Sequence, residues 1–354
     1  MKRILSLLLM LTIVLCCTLA LSGCKKYDGE INVYNWGEYV NDGSDGTMDV
    51  IAEFEERYNI KVNYTTYESN EEMYSILSSS NSSYDIIVPS DYMIEKLIAE
   101  DLLRPINFDN VPNYSNIAEE YKNMSFDPDN KFSVPYSWGV VALCYNTTMV
   151  EGEVKGFSDL WREDLSGNIL MFNNSRDAMA IAMQMCDISP SAPTKEDIDK
   201  AFDKLMEQKP LLKRYAMDQT FTEMEGSQAA IAPYYAGDIL TMMSNNEELS
   251  YCLPEEGSNL FVDSMCIPKS SQNPELAEKF INFMLEGEVA AANNTYIGYS
   301  SPNTAALALM DEEITSNELI YPSKEYLDKC YTFSNISDDV YSYMQEKFIE
   351  VQAE

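Results

Sequence analysis

Apolar and polar positions in this chain alternate in two rhythms, a period of two and a period near 3.6, that take turns along the sequence. Ile31 to Trp36 reads as a strand, and Thr47 to Tyr58 as a helix with Val50, Ile51, Phe54 and Tyr58 on one face. Ile60 to Tyr67 alternates as a second strand, and Asn70 is placed to cap a helix carrying Met73, Ile76 and Leu77. Tyr84 to Val88 is a buried strand stopped by Pro89, after which Asp91 opens a helix running to Leu102. Farther along, Val140 to Tyr145, Asn168 to Phe172, Ala229 to Tyr235 and Leu249 to Leu253 are strand-like. Thr194 with Asp197 predicts a capping box before a helix bearing Ile198, Phe202, Leu205 and Met206. Asn273-Pro274 places proline at the first position of a helix through Leu276, Phe280, Ile281 and Met284.

Strand alternating with helix at this spacing predicts βαβ units and a mostly parallel sheet, an α/β fold. The 354 residues are long for one domain and comfortable for two, with no internal repeat and no long linker. Two lobes of similar size are expected, residues 27–138 plus 262–303 and residues 139–261 plus 304–354, with crossings near Trp138–Val140 and Asn259–Asp263.

The N-terminus changes the compartment. Lys2 and Arg3 precede a run from Ile4 to Leu21 that is apolar apart from Ser6, Thr12 and Thr18, which reads as a secretory signal. Leu21-Ser22-Gly23-Cys24 resembles the bacterial lipobox, so residues 1–23 are expected to be removed and Cys24 to carry lipid. Covalent chains are needed for that role, because 24 Lys+Arg against 58 Asp+Glu gives a net charge of −34, which an anionic bilayer repels. The same charge argues against nucleic acid as a partner. The absence of histidine removes Ser-His-Asp catalysis and His-ligated metal sites. Cys16 and Cys17 lie in the signal, and Cys144, Cys186, Cys252, Cys266 and Cys330, an odd set without a CxxC pair, read as buried free thiols.

Six short segments join aromatic, small and acidic residues where strands end, the places at which open α/β sheets hold ligands. They are Asn35 to Tyr39, Pro89 to Tyr92, Asn173 to Asp177, Tyr234 to Asp238, Phe261 to Ser264 and Ile297 to Ser300. Singly, each is an ordinary turn. Together they suit a flexible organic cation, whose methylenes the rings cover and whose ammonium groups the ring faces attract at about 0.5–2 kcal/mol per contact. Carboxylates must pair each buried charge.

The residues that carry these segments also carry a resemblance. Asn32 to Tyr39, Thr66 to Glu71, Tyr84 to Ser90 and Val134 to Gly139 closely resemble the spermidine/putrescine-binding proteins of bacterial ABC transporters. Asp159-Leu160-Trp161, Pro254 to Gly257, Ile281 to Leu285 and Ile297 to Tyr299 extend the likeness in order along the mature chain. The resemblance implies a two-lobed periplasmic-binding-protein fold of type II, each lobe a mainly parallel sheet flanked by helices. It also implies a monomer that closes on putrescine or spermidine and delivers it to permease subunits with their ATPase, using no cofactor and no metal. Position by position, it implies that Trp36 and Tyr39 line the cleft with Glu38 near an amine, and that Ser90 and Tyr92 contribute from the next loop. Asp263 matches the main ammonium-binding carboxylate, with Phe261, Tyr235 and Tyr299 as aromatic walls and Asp238 on an amine. Asn174 stands where spermidine binders carry an aspartate while Asp177 keeps the second acid, which leans toward the two charges of putrescine. A C-terminal contact near Tyr331 cannot be aligned.

Three other readings compete. Adjacent Tyr234 and Tyr235 could serve a ferric-ion receptor, and paired carboxylates could serve a surface hydrolase, although no acid sits in a recognisable catalytic motif. The last is a purely structural or adhesive surface protein.

Overall fold

The computed structural model describes residues 26–79 and 83–353, so the expected signal and Cys24 lie outside the described residues. Strands β1 (Gly29–Trp36) and β2 (Ile60–Tyr67) pair in parallel, joined by helix α1 (Val50–Tyr58). Alternation decides which way β1 faces. Ile31 and Val33 enter one core with Val50, Phe54, Ile60 and Val62, while Tyr34 turns to the other face and packs with Tyr67, Met73, Ile94 and Leu97. Asp49 ends the loop before α1 by accepting from Ala52 N–H at 2.8 Å, and the helix stops at Asn59 in the left-handed region, φ 52°.

Helix α2 (Asn70–Leu77) forms, but its cap is Ser69, whose hydroxyl accepts from Glu72 N–H at 3.1 Å. Ile76 is 42% exposed and stands outside the core. The strand expected over Tyr84–Val88 shrinks to β3 (Ile86–Ile87). Its neighbour Asp85 is instead a buried knot, accepting from Asn32 N–H at 3.0 Å, Ser271 Oγ at 2.7 Å and Asn273 N–H at 3.1 Å. Helix α3 (Asp91–Ala99) ends short of Leu102 because Asp101 adopts φ 57°.

β4 (Ser133–Asn146) is far longer than the run from Val140 predicts. Pro135 hid its first half, and the strand accommodates that residue at an irregularity of register between Pro135 and Ser137. From Ser133 to Val140 it pairs antiparallel with β9 (Leu260–Cys266); from Val141 it pairs with β7 (Ile231–Tyr235), and from Leu143 also with β8 (Leu249–Cys252). β5 (Ile169–Phe172) pairs in parallel with β6 (Leu212–Ala216) and β7. The sheet order is β2-β1-β3-β9-β4-β7-β5-β6, with β8 on β4. Parallel pairing holds in both outer parts. The central antiparallel pairs arise where β4 and β9 carry the chain from one half to the other.

A second core gathers around Val140–Cys144, Phe157, β5 and Ile231, covered by α4 (Ser175–Gln184), α5 (Lys195–Gln208), α7 (Ala236–Asn245) and α10 (Asp338–Ala353). Between α5 and α7 lies α6 (Gln219–Glu225), and α8 (Pro274–Met284) and α9 (Gly287–Ile297) flank the first core. The capping box at Thr194 and Asp197 forms as predicted. The five cysteines among the described residues are free; Cys144 and Cys266 are buried, and Cys186, Cys252 and Cys330 are half-buried. No helix among the described residues is long and apolar enough to cross a membrane.

Candidate functional site: an acid-lined aromatic cleft

Between the two cores opens a cleft of about 610 Å³. All twelve residues singled out in the sequence line it. They come together because β1, β3, β5 and β7 end on the same side, each delivering the residues that follow it. β1 supplies Trp36, Glu38 and Tyr39, and the turn holds Glu38 at φ 51°. β3 leads to Ser90 and Tyr92 at the start of α3, and β5 leads to Asn174 and Asp177 at the start of α4. β7 ends in Tyr235 and runs into Asp238 on the first turn of α7, β9 adds Phe261 and Asp263, and Tyr299 follows α9.

The aromatic wall is continuous. Tyr39 meets Tyr299 edge-on with ring centroids 5.0 Å apart, Tyr299 meets Phe261 at 6.1 Å, and Phe261 meets Tyr235 at 5.6 Å. Trp36 packs on Tyr67 at 4.6 Å and fixes its indole by donating to Val88 O at 2.8 Å. Gly237 makes the wall possible, since a Cβ there would lie 2.3 Å from the Tyr299 ring.

The carboxyls are held by these same rings. Asp263, 4% exposed, accepts from Tyr39 OH at 2.8 Å on Oδ2, and its Oδ1 has no partner. Burial lifts Asp263 to about 6, while its neighbours Ser90 and Tyr39 favour the charged form. Burial lifts Asp238 to about 7, with the Tyr299 hydroxyl opposing it. Asp177 is also raised by burial; its Oδ2 accepts from Asn174 Nδ2 at 2.7 Å and Tyr235 OH at 2.9 Å. Burial pushes the phenols of Tyr39, Tyr235 and Tyr299 up, so they remain neutral donors.

Several lining residues escaped the sequence reading. Asn70, not needed as a cap, donates to Ser90 Oγ and Tyr92 OH, each at 3.2 Å. Tyr92 OH in turn donates to Glu71 at 2.9 Å. Asp218 follows β6, whose residues Leu-Lys-Arg-Tyr-Ala carry no strand signal, so its position at a strand end was not visible. Phe333, from the C-terminal part of the chain, also lines the cleft, and its ring lies 5.7 Å from that of Tyr331, centre to centre. Arg176 and Asp91 lay inside two of the six segments; their identity was visible and their burial was not. Of the charged groups lining the cleft, nine are acids and one, Arg176, is a base, so the cleft favours a cation.

A metal fits this donor set poorly. Among the described residues no three Cys, Asp or Glu side chains converge as ligands, and the Tyr235 phenol already donates to Asp177. That arrangement disfavours the ferric reading.

Comparison with known proteins agrees with the cleft. The sequence profile of the bacterial extracellular solute-binding proteins matches residues 49–322. The spermidine/putrescine-binding periplasmic protein of Escherichia coli is 31% identical over 294 residues, covering 82% of this chain and 83% of that one. Among solved structures, the spermidine/putrescine ABC transporter substrate-binding protein PotD of Streptococcus pneumoniae is 33% identical with a TM-score of 0.78, covering 92% and 99% of the two chains. The TpPotD lipoprotein of Treponema pallidum is 25% identical with a TM-score of 0.81, covering 92% and 100%.

Proposed function

The chain belongs to the bacterial extracellular solute-binding proteins, of the spermidine/putrescine-binding kind, and we propose that its cleft captures a linear polyamine and hands it to an ABC importer. The observation that carries this reading is the union of a continuous ring wall with buried acids, among which Asp263 keeps Oδ1 without a partner. Rings cover methylenes at roughly 0.8 kcal/mol each, and a buried carboxylate without a counter-charge is costly until an ammonium arrives. The family is a transport component without catalytic chemistry, and the carboxylate-hydrolase and ferric readings are not favoured.

In this reading Trp36, Tyr39, Tyr92, Tyr235, Phe261 and Tyr299 enclose the alkyl chain. Asp263, Asp238, Glu38 and Asp177 receive ammonium groups, with Ser90 and Asn174 orienting their neighbours. Residues 27–138 plus 262–303 and 139–261 plus 304–354 act as the lobes that close on the ligand. Putrescine is the favoured ligand, because Asn174 supplies an amide where a further acid would serve a third ammonium. The mature protein acts as a monomer, held at the extracytoplasmic membrane face by lipid on Cys24 after loss of residues 1–23. Leu21-Ser22-Gly23-Cys24 and the description of the Treponema pallidum relative as a lipoprotein support that anchoring.

Calorimetric titration tests the reading. Putrescine or spermidine should bind at one site, and Asp263→Ala should weaken binding by about a hundredfold or more, the scale of breaking a buried charge pair. Heat-silent titrations with both polyamines would defeat it.

A further inference from the structure

Two buried ionisable side chains lining the cleft, one from each side of it, each leave one polar atom without a partner. Arg176, on α4 against the second core, is 4% exposed. Its guanidinium lies 5.1 Å from the ring centre of Tyr92 and 4.5 Å from that of Phe333, and Nη2 donates to Ser334 O at 2.6 Å. Nε has no acceptor. Asp91, at the start of α3 on the first core, is 3% exposed. Its Oδ1 accepts from Tyr92 N–H at 2.7 Å, and Oδ2 has no donor. An orphan N–H and an orphan carboxylate oxygen are complementary, and leaving both buried is unfavourable.

The surroundings of both groups are acidic. Arg176 sits among several negative groups, with Glu71, Asp91 and Asp177 all favouring its charge. Asp91 is crowded by Asp263, and Arg176 opposes the upward shift that burial imposes on it. An ammonium ligand that occupies Asp263 and the Glu71–Asp177 side relieves both conflicts. It removes the repulsion on Asp91, and it leaves the guanidinium with Asp91 as its remaining counter-ion. The edge of the cleft is already drawn together beside them. Lys96 on α3 pairs with Asp338 at 2.8 Å, and Asn335 N–H donates to Glu95 at 2.8 Å.

We propose that Asp91 and Arg176 are a pair of positioning residues that join across the cleft when a polyamine is bound, Arg176 Nε donating to Asp91 Oδ2, so that capture and closure are energetically coupled. This inference rests on the polyamine reading above. Neither residue needs to touch the ligand. The pair acts by holding α3 and its Tyr92 against α4 in the closed form, which lengthens the ligand's residence.

The test is a double-mutant cycle on the purified chain with Asp91→Asn, Arg176→Gln and the two combined, reading putrescine release by stopped flow and unfolding without ligand. Asp91→Asn keeps an oxygen for Tyr92 N–H. Each single change should speed release by about tenfold, within the usual range of coupling between sites, and the double change should be no worse than either alone. Unfolding without ligand should show no coupling between the two positions. Multiplicative losses in the cycle, wild-type release rates in either single variant, or equal coupling with and without ligand would overturn the pair. Should Arg176→Gln not fold, Asp91→Asn alone decides, since unchanged release there contradicts the proposal. A wild-type chain that binds no polyamine would bring down the underlying reading as well, whereas a chain that binds and fails the cycle loses the pair alone.

Discussion

At the scale of single residues, the cleft is set by where acids are forced to lie. Burial holds Asp263, Asp238 and Asp91 at about 6, 7 and 8, against an unperturbed 3.8 for each. A carboxyl raised on folding binds more protons folded than unfolded in the window between 3.8 and its folded value. The ligand-free protein therefore loses stability as pH rises through roughly 4 to 8. An ammonium ligand favours the charged carboxyls, so binding should expel protons and tighten over the same window. Putrescine affinity should be at least about tenfold higher at pH 8 than at pH 5.5. Its heat should vary with the ionisation enthalpy of the buffer. A flat affinity profile with no proton release contradicts these assignments. The places of Asp263, Asp238 and Tyr299 on the cleft were legible from the resemblance and from the aromatic and small residues beside them, although Asp263 lies inside β9 and Tyr299 follows a helix, so neither ends a strand as expected. Asp218 was not, because Lys213 and Arg214 break the apolar signal of its strand. The burial of Asp91 and Arg176 is a tertiary property with no local signature.

At the scale of elements, the site depends on helix starts. Asn174 caps α4 by accepting from Asp177 N–H at 2.8 Å, and its amide donates back to the Asp177 carboxyl. One residue thus serves helix and site together. Asn174→Asp preserves the cap, since Asp and Asn cap about equally, but removes a donor to Asp177 and adds a negative charge. The spermidine-to-putrescine affinity ratio should rise by about tenfold, one charge-assisted contact, with α-helical circular dichroism unchanged. An unchanged ratio would mean that this corner does not select by charge number. Local patterns predicted β1, β2, α5 and α8 nearly to their ends because their apolar positions recur at the period of the element. They failed on β4, where Pro135 interrupts a strand that is buried throughout Ser133–Ala142, and on the cap of α2, where Ser69 and Asn70 are both competent and tertiary bonds to Ser90 and Tyr92 claim the second. They also missed α4 and α7, whose starts were visible only as turn-like segments, and α9, of which only the segment at its end, Ile297 to Ser300, was noticed.

At the scale of the whole molecule, a net charge of −34 surrounds a cleft with nine acids and one base. Such a field steers cations inward, so the association rate of putrescine should fall by about tenfold or more between 20 and 500 mM salt, as screening shortens its reach to a few ångströms. A salt-independent association rate would remove the role assigned to that field. The division into two cores was legible from the order of strands and helices. The central antiparallel pairs were not, because β4 and β9 take partners far away in sequence. Where the two cores meet, the ring wall and its acids are proposed to grip a short dication. A crystal structure grown with excess putrescine tests it most directly. The diamine should lie along Tyr39, Tyr299, Phe261 and Tyr235, with one ammonium nitrogen at hydrogen-bond distance, about 2.7–3.2 Å, from Asp263 Oδ1. Putrescine bound elsewhere, or a cleft holding a metal ion or sugar in its place, would contradict it.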